Sequence, residues 1–260
     1  MAPDEHWLDR ALDTAREAAR AAADVIARHR SGGFEVDYKA DASPVTEADR
    51  EAEHAIRAVL RRDFPDHAIY GEEHGRDGEG AWLWLVDPLD GTKSFVRGTS
   101  FYSTQIALMH AGELVLGVSA APHAGETLWA RRGGGAWMNG RRIRVATTDR
   151  LAGAAVSTGN VRRLAADVPR WRAFGDLIGE VDRIRGYGDY CHYHLLARGA
   201  LDVVIESDVN ILDVAALAVI VREAGGVFTD LDGAAPTLDT RSVLAAVPTL
   251  HEEVRRRLAP

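Results

Sequence analysis

Apolar residues recur every three or four positions near the start of the chain, the spacing of one face of a helix. The stripe between His6 and Arg28 consists of Leu8, Leu12, Ala15, Ala19, Ala22 and Ile26. The pair Gly32-Gly33 after it predicts the end of this helix. Phe34 to Lys39 then alternates between apolar and polar residues, which predicts a short strand.

A second helix is predicted from the residues that precede it. Ser43 to Thr46 has the composition of a turn, and Thr46 is followed three residues later by Asp49. A hydroxyl residue and an acidic residue at this spacing are typical of a reciprocal N-terminal cap. We therefore expect a helix with Thr46 as its N-cap and with its end near Asp63.

The middle of the chain consists of short apolar stretches that predict strands. Ala68 to Tyr70 precedes the acidic segment 71–75, and the compact run Trp82 to Val86 is typical of a buried strand. Further stretches separated by turn residues predict an antiparallel meander. These stretches are Phe101–His110, Glu113–Ala121, Glu126–Arg131 and Ala136–Met138.

From about Ala146 onward, predicted strands and helices alternate. The strands are expected at 154–157, 182–185 and 200–205, and the helices at 170–180, 191–198 and 213–224. This change predicts an α+β half, residues 1–145, followed by an α/β half, residues 146–260. Because no linker rich in Pro, Gly or Ser separates the halves, we expect them to pack tightly.

The composition narrows the class of protein. Of 260 residues, 46% are hydrophobic and 27% are charged, as in a globular protein, and the net charge of −8 argues against a nucleic-acid partner. A single cysteine, Cys191, excludes an internal disulfide and is typical of a reducing compartment. Neither a secretory signal nor a run of about 18 apolar residues is present. We expect a cytoplasmic protein that does not bind membranes.

The most informative segment is the turn after the buried strand, from Asp87 to Thr92. Asp87 and Asp90 lie at a strand end and can face one centre, while Gly91 permits a tight backbone. Thr92 is expected to cap a short helix whose free N–H groups would suit phosphate oxygens. Because adjacent carboxylates repel each other, they need a cation, and oxygen ligands favour Mg²⁺ or Mn²⁺.

Two more acidic residues could complete this site. Glu72 follows a predicted strand, and Asp213 begins a predicted helix. Together with Asp87 and Asp90, they could hold two or more metal ions that clamp the attacking and leaving oxygens of a phosphoryl transfer. An isolated Asp-x-x-Asp-Gly is more often a surface turn, but the buried strand, Thr92 and the remote carboxylates argue against that interpretation here.

These segments resemble the motifs of the inositol-monophosphatase superfamily of metal-dependent, lithium-sensitive phosphatases. The first motif reads Trp84-Leu-Val-Asp87-Pro-Leu-Asp90-Gly-Thr92. The second reads Leu212-Asp213-Val-Ala-Ala216, followed by Glu223-Ala-Gly-Gly226, with Leu212 where the family usually has Trp. Lys39 to Asp49 and Gly71-Glu72-Glu73 fit as well. The resemblance implies the layered αβαβα sandwich of the inositol-monophosphatase and fructose-bisphosphatase type, and a homodimer.

The resemblance also implies a set of metal ligands. Glu72, Asp87 and the carbonyl of Leu89 would hold one ion. Asp87, Asp90 and Asp213 would hold a second, and Glu72 would contribute to a loosely held third. The expected cofactor is therefore Mg²⁺, two or three ions per active site, with Mn²⁺ as a substitute.

The remaining catalytic roles are implied in the same way. Thr92 and Asp49 would position and activate the attacking water, with Glu72 as a further catalytic residue. Gly91 and Thr92 would bind the phosphate. Lys39 would lie either near the metal ions or at the surface.

Three stretches resemble the histidinol-phosphatase branch of the superfamily: Asp90 to Gly98, 186–190 and 198–206. By family resemblance, Asp189 and Glu206 would face the organic part of the substrate, together with Asp90. Carboxylates suit the ammonium and imidazole groups of histidinol phosphate, although inositol hydroxyls would bind the same acids. The expected reaction is the hydrolysis of L-histidinol phosphate, a small phosphate monoester, to L-histidinol and phosphate in histidine biosynthesis.

Other interpretations remain open. One alternative is an inositol-1-phosphate phosphatase, or another cyclitol or sugar phosphatase of the same superfamily. A protein of a different class would bind a metal or a phosphoester without catalysis. Cys191-His192-Tyr193-His194 has no spacing that places three zinc ligands on one helical face, so we expect these residues to have packing or surface roles. Gly133-Gly-Gly135 is expected to form a hairpin turn.

Overall fold

The computed structural model describes residues 4–32, 36–38 and 44–259. The predicted strand at 34–39 lies partly outside these residues, and Lys39 lies outside them. The described helices are α1 (Glu5–Gly32), α2 (Glu47–Asp63), α3 (Thr92–Val96), α4 (Arg162–Ala166), α5 (Val168–Ile178), α6 (Asp189–Ala197), α7 (Ile211–Glu223) and α8 (Pro248–Leu258). The described strands are β1 (Val36–Tyr38), β2 (Pro44–Thr46), β3 (Ala68–Gly71), β4 (Gly75–Asp77), β5 (Trp82–Asp90), β6 (Ser103–His110), β7 (Glu113–Ala121), β8 (Glu126–Arg131), β9 (Gly135–Met138), β10 (Arg141–Ile143), β11 (Ala155–Thr158), β12 (Arg183–Arg185), β13 (Val203–Ser207), β14 (Val227–Thr229) and β15 (Ser242–Ala246).

The strands form two main sheets and one small ribbon. The larger sheet has eight strands in the order β10-β9-β8-β7-β6-β5-β3-β4, and its neighbours are antiparallel except for the parallel pair β3 and β5. The smaller sheet has the order β12-β11-β13-β15-β14, parallel from β12 to β13 and antiparallel beyond. The ribbon pairs β1 with β2.

The helices cover these sheets in layers. α1 and α2 pack on one face of the larger sheet, and α6 and α7 lie between the two sheets. α4, α5 and α8 form the outer layer on the smaller sheet. Each face of a sheet is thus buried by helices, and the chain forms the predicted αβαβα sandwich.

The central helix α7 has a composition that fits its position between two layers. Nearly all its residues from Ile211 to Val221 are buried, including Leu212, which packs into the core shared with the smaller sheet. A helix that is apolar on all sides is typical of such an interior layer. Gly117 on β7 allows the close approach of the helix, because a Cβ there would overlap the backbone of Ala216.

Several predicted elements are confirmed, and others are corrected. α1, α2 and the meander from β6 to β9 lie within a few residues of their predicted positions. The predicted turn at Ser43–Thr46 is wrong for Pro44–Thr46, which form a strand; proline is tolerated at the first residue of such an edge strand because it needs no N–H there. The strands β4, β10, β14 and β15 and the helices α4 and α8 were not predicted from the sequence.

None of the helices in the described ranges is long and apolar enough to cross a bilayer. The larger sheet takes its strands from 68–143 and the smaller from 155–246, while α7 packs on the larger sheet. The division into units 1–145 and 146–260 stays a prediction.

Candidate active site

The predicted site residues surround one cleft of about 270 Å³. It lies where β5 ends and where α3, α6 and α7 begin, so chain segments far apart in sequence meet there. The predicted residues that line it are Glu72, Asp87, Leu89, Asp90, Gly91, Thr92, Asp189, Glu206 and Asp213. Asp49 is buried and contacts the cleft through Thr92.

The segment Asp87–Thr92 takes its shape from an irregularity in β5. The pairing of β5 with β6 shifts register between Asp87 and Asp90, and the Asp87 Oδ1 accepts a hydrogen bond of 3.0 Å from the Leu89 N–H. Gly91 adopts φ 83°, and a Cβ there would overlap the carbonyl of Phe101. Gly91, not Thr92, is the N-cap of α3, and Thr92 is its first residue. The predicted capping role of Thr92 is therefore wrong, because its hydroxyl points to Asp49 instead.

Thr92 and Asp49 form a hydrogen-bonded pair at the edge of the cleft. The Thr92 Oγ1 lies 2.9 Å from the Asp49 Oδ1 and 3.0 Å from the Leu89 carbonyl oxygen. The other oxygen of Asp49 accepts hydrogen bonds of 2.7 Å from both the N–H and the hydroxyl of Thr46, which is the predicted reciprocal cap of α2. The Asp49 carboxylate thus caps the N-terminus of α2 and is also hydrogen-bonded to the hydroxyl of Thr92.

Three acids of the cluster, Asp87, Asp90 and Asp213, have raised pKa values. Burial raises the pKa of Asp87 well above its usual value, and Glu72, Asp90 and Asp213 add to the shift. The pKa of Asp90 is raised in the same way by burial and by Asp189 and Asp213. Burial raises the pKa of Asp213 to about 7, and the negative charge of Glu72 adds to the shift against the hydrogen bond from the Asn210 N–H. Negative charge here is costly unless cations share the cleft.

The donor set of this cluster fits hard divalent cations. Its ligating atoms would be carboxylate and carbonyl oxygens, which Mg²⁺ and Mn²⁺ prefer. In the described part of the chain, no three His, Cys, Asp or Glu side chains converge closely enough to form a ready metal cluster. Asp90 and Asp213 each use one oxygen in a hydrogen bond, to the Ser103 hydroxyl and to the Asn210 N–H.

Asp213 belongs to α7 in a way that the sequence did not predict. It is the third residue of the helix rather than its first, and Asn210 is the N-cap. The Asp213 Oδ2 accepts a hydrogen bond from the Asn210 N–H, while Asn210 Oδ1 accepts one from Leu212 N–H. The cap fixes the carboxylate at the helix N-terminus, where the helix dipole favours negative charge.

Glu206 on β13 has a different environment. Its Oε2 lies 3.1 Å from the His192 Nε2 and accepts a 2.7 Å hydrogen bond from the Tyr193 hydroxyl, and its Oε1 accepts one from the Asn160 N–H. Burial by itself raises the pKa of Glu206, but His192, Tyr193 and the Asn160 N–H together lower it below its usual value. Glu206 is therefore an anion, and we call its three partners, His192, Tyr193 and the Asn160 N–H, the cradle of Glu206.

Asp189 stands beside this cradle at the start of α6. It adopts φ 45°, unusual for a residue other than glycine. Burial and the negative charge of Glu206 raise its pKa to about 6, against the effects of His192 and Lys93. The structure thus brings together the two acids predicted to face the organic part of the substrate.

Two sets of contributing residues were missed by the sequence reasoning. His192 and Tyr193 were considered only as part of a doubtful zinc motif, yet they follow Asp189 by three and four residues and so share its helical face. Glu53, four residues after Asp49 on α2, is buried and accepts hydrogen bonds from the N–H groups of Glu73 and His74. It therefore anchors the loop that carries Glu72. The helical spacing from Asp49 was the available signal.

Comparison with known proteins identifies the family. The chain matches the model of the inositol monophosphatase family over residues 7–259. It is 40% identical over 246 residues to a histidinol-phosphatase of Mycobacterium tuberculosis, covering 91% of this chain and 93% of that protein. Among solved structures, the extragenic suppressor protein suhB of Bartonella henselae superposes with a TM-score of 0.87 at 30% identity, over 96% of this chain and 98% of that one. The inositol monophosphatase of Anabaena superposes with a TM-score of 0.83 at 29% identity, over 96% of each chain. This chain therefore belongs to the inositol monophosphatase family and is a phosphomonoester hydrolase.

Proposed function

We propose that this hydrolase converts L-histidinol phosphate and water to L-histidinol and phosphate with the help of Mg²⁺, as a step of histidine biosynthesis. The observation that carries the choice of substrate is Glu206, a buried carboxylate kept ionised by His192, Tyr193 and the Asn160 N–H beside the second acid Asp189. A cleft with this wall favours an ester with a positively charged organic part. The histidinol-phosphatase name of the Mycobacterium tuberculosis relative supports the same choice.

The clustered acids supply the proposed metal ligands. Glu72, Asp87, Asp90, Asp213 and the Leu89 carbonyl would hold two or three Mg²⁺ ions, with Mn²⁺ as a substitute. Bound there, the cations would offset the carboxylate charge and stabilise negative charge on the phosphate oxygens. We call Glu72, Asp87, Asp90 and Asp213 the metal wall of the cleft, and Asp189 and Glu206 its substrate wall. The negative charges of Asp189 and Glu206 raise the pKa of Asp90, so this residue connects the two walls.

Thr92 and Asp49 are proposed to orient the attacking water. If the Thr92 hydroxyl donates to Asp49 Oδ1, its oxygen is left to accept a hydrogen bond from water. Glu72 would serve as a further base at the same place. The N–H groups of Gly91 and Thr92 precede the first helical hydrogen bonds of α3, which Ser94 and Phe95 donate to the Gly91 carbonyl, so they are suited to phosphate oxygens.

The substrate test compares two esters on the same enzyme. We expect kcat/KM with Mg²⁺ to be higher for L-histidinol phosphate than for inositol 1-phosphate. Glu206→Gln keeps the shape of the side chain and removes its charge, so it should lower kcat/KM for histidinol phosphate by about 10- to 100-fold. The same variant should change kcat/KM for the uncharged cyclitol ester far less.

An exposed change of the same type, Glu79→Gln, is the matched control and should leave both values unchanged. A higher kcat/KM for inositol 1-phosphate would instead assign the chain to the inositol-phosphate phosphatases. If the enzyme releases phosphate from none of the esters in a Mg²⁺-dependent way, the proposed metal site is contradicted.

The remaining family properties are proposed on resemblance. We propose that the enzyme is a cytoplasmic homodimer, that it acts on a small molecule rather than on nucleic acid or membranes, and that Li⁺ inhibits it. Replacing NaCl with LiCl in the phosphate-release assay should reduce the rate. Light scattering should give twice the chain mass of 28.2 kDa; a monomer would contradict the dimer.

A further inference from the structure

A continuous line of buried polar side chains crosses the molecule from Asp90 to the surface. We name it the Asp90–Glu126 network. It consists of Asp90, Ser103, Gln105, Ser119, His194 and Glu126. The side chains of Ser103, Gln105, Ser119 and His194 are almost completely inaccessible to solvent. Buried polar chains of this length are costly unless each contact is made, so their presence in the core calls for a function.

The distances in the network are those of good hydrogen bonds. The Ser103 Oγ lies 3.0 Å from Asp90 Oδ2, and the Gln105 Nε2 lies 2.8 Å from Ser103 Oγ and 3.0 Å from Ser119 Oγ. The Ser119 Oγ is 2.7 Å from His194 Nε2. Gln105 and Ser119 are directly opposite each other on β6 and β7, and Ser103 is opposite Asp90, so the sheet register itself aligns the line.

At its outer end the network reaches a partly exposed ion pair. The His194 Nδ1 lies 2.9 Å from Glu126 Oε2, and the other oxygen of Glu126 accepts a 3.2 Å hydrogen bond from Arg198. The His194 hydrogen bond lowers the pKa of Glu126, and burial lowers the pKa of His194. Glu126 is therefore an anion and His194 a neutral imidazole whose Nδ1–H faces Glu126.

The chemistry of the groups fixes the direction of every bond. Gln105 Nε2 has two N–H donors and gives one to each serine. Ser103 then donates its hydroxyl hydrogen to Asp90, and Ser119 donates its own to His194 Nε2. The hydrogen bonds therefore run outward from Gln105 in two directions, and one series ends on the Asp90 carboxylate and the other on the Glu126 carboxylate. Because a central amide only donates, the network holds groups in place and is not a path for protons.

The opposite orientation of the Gln105 amide is less favourable. If its oxygen faced the serines, both hydroxyl hydrogens would be used on it, and Asp90 would lose its donor. Two buried N–H groups would also lack acceptors. In the observed orientation, a single atom of Gln105, the buried Oε1, lacks a partner within the described residues. The fold thus accepts one unsatisfied oxygen, at some cost in stability, while Asp90 keeps its hydrogen bond.

We infer that Gln105, Ser119 and His194 are positioning residues for Asp90, which they act on through Ser103. The inference rests on the proposed function, because it assumes that Asp90 binds a divalent cation. The network leaves one oxygen of Asp90 in a fixed direction toward the cleft. Loss of an inner link should therefore weaken cation binding even though none of these three side chains touches the cleft or the cation ligands.

The test measures cation binding without turnover. Isothermal titration of Mg²⁺ and Mn²⁺ into wild type, Gln105→Leu and Ser119→Ala should show an increase in Kd of about 10-fold or more for Gln105→Leu and a smaller increase for Ser119→Ala. At saturating Mg²⁺, kcat of Ser119→Ala should return close to that of wild type, because the ligand is loosened and not lost. Ser119→Ala removes a single oxygen, so it remains informative if Gln105→Leu does not fold.

Thr14→Val is the matched control. Thr14 is a buried hydroxyl on α1 that hydrogen-bonds to Asp63, so its loss should lower the thermal stability without changing the cation Kd. If wild type binds neither cation, the proposed metal site fails, and this inference fails with it. If wild type binds them and both network variants bind equally well, the inference alone is overturned, and the network is only structural.

Discussion

Two groups of carboxylates face the same cleft, and they differ in how their charge is stabilised. Asp87, Asp90 and Asp213 stand near one another and near Glu72, and their pKa values are raised by burial and mutual repulsion. Glu206 is as deeply buried as Asp87, yet its pKa lies below its usual value. Burial is common to both groups, so it does not decide which acid is charged.

The partners of each carboxylate make the difference. Glu206 accepts hydrogen bonds from Tyr193 and the Asn160 N–H and is paired with His192, so the protein alone completes its environment. Asp87 accepts a hydrogen bond from the Leu89 N–H and Asp90 accepts one from the Ser103 hydroxyl, and the charged neighbours that raise their pKa values are acids. Under the proposed function, the first kind of site would bind a cationic group of the substrate. The second would require bound cations before it could take a phosphate.

Removing one acid from the metal wall should have the largest effect. We expect Asp90→Asn to lower kcat/KM by more than about 100-fold, beyond the range for residues that only support a ligand. The same change should raise the Tm of the protein without metal, because it relieves repulsion with Asp189 and Asp213. Phosphate release and thermal unfolding in EDTA check the two effects.

The opposite signs of these effects separate catalysis from folding. A variant that loses both activity and stability would show that Asp90 is mainly structural. Full activity in Asp90→Asn would remove this residue from the metal site. Asp63→Asn is the control. Asp63 is the last residue of α2 and is paired with Arg62, so its replacement should lower stability and leave activity unchanged.

The meeting of Asp87, Asp90 and Asp213 at one cleft was predictable from sequence, whereas the supporting contacts were not, and the metal-binding role of these acids stays a prediction. Asp87, Asp90 and Asp213 belong to short motifs at strand ends and helix starts, where local pattern carries the information. The N-cap of α3 was assigned wrongly to Thr92, since the choice of N-cap depends on φ 83° at Gly91 and on the contact of Thr92 with Asp49. Such contacts join residues that are distant in sequence.

The elements near the C-terminus also depend on contacts between distant residues that the local sequence does not reveal. β15 pairs with both β13 and β14, and its burial depends on the layer formed by α8. The segment Ser242–Ala246 has no alternation of its own to distinguish a central strand from a buried helix segment. The Asp90–Glu126 network was hidden for a related reason. Gln105 and Ser119 look like isolated polar residues in apolar strands until the register of β6 and β7 places them opposite each other.

A change in the cradle of Glu206 should have a smaller and more selective effect. His192→Phe keeps an aromatic ring at this position, although a larger one, and removes one of the three partners of Glu206, so the carboxylate becomes easier to protonate. We expect kcat/KM for histidinol phosphate to fall about 10-fold, with the Kd for Mg²⁺ unchanged. The buried His251→Phe on α8 is the matched control and should affect neither value. An altered Mg²⁺ affinity in His192→Phe would mean that the two walls are not independent.

The smallest expected effect is a change in the pH dependence of stability. Asp213 has a pKa of about 7 in the folded protein and a usual value near 3.8 when unfolded. Between these values the folded state binds more protons than the unfolded state, so the contribution of Asp213 to stability is full below about pH 4 and is lost as pH rises through about 7. Without metal, the wild type should therefore lose stability toward pH 8 relative to Asp213→Asn. Denaturant unfolding from pH 5 to 8, with EDTA and with saturating Mg²⁺, measures the difference. Saturating Mg²⁺ should remove this difference, because a bound cation favours the ionised carboxylate that repulsion disfavours.

Glu206 provides the contrast. Its lowered pKa predicts that Glu206→Gln leaves the slope of the unfolding free energy against pH unchanged over this range. Parallel slopes for wild type and Asp213→Asn in EDTA would mean that Asp213 is already compensated by the Asn210 N–H and needs no cation.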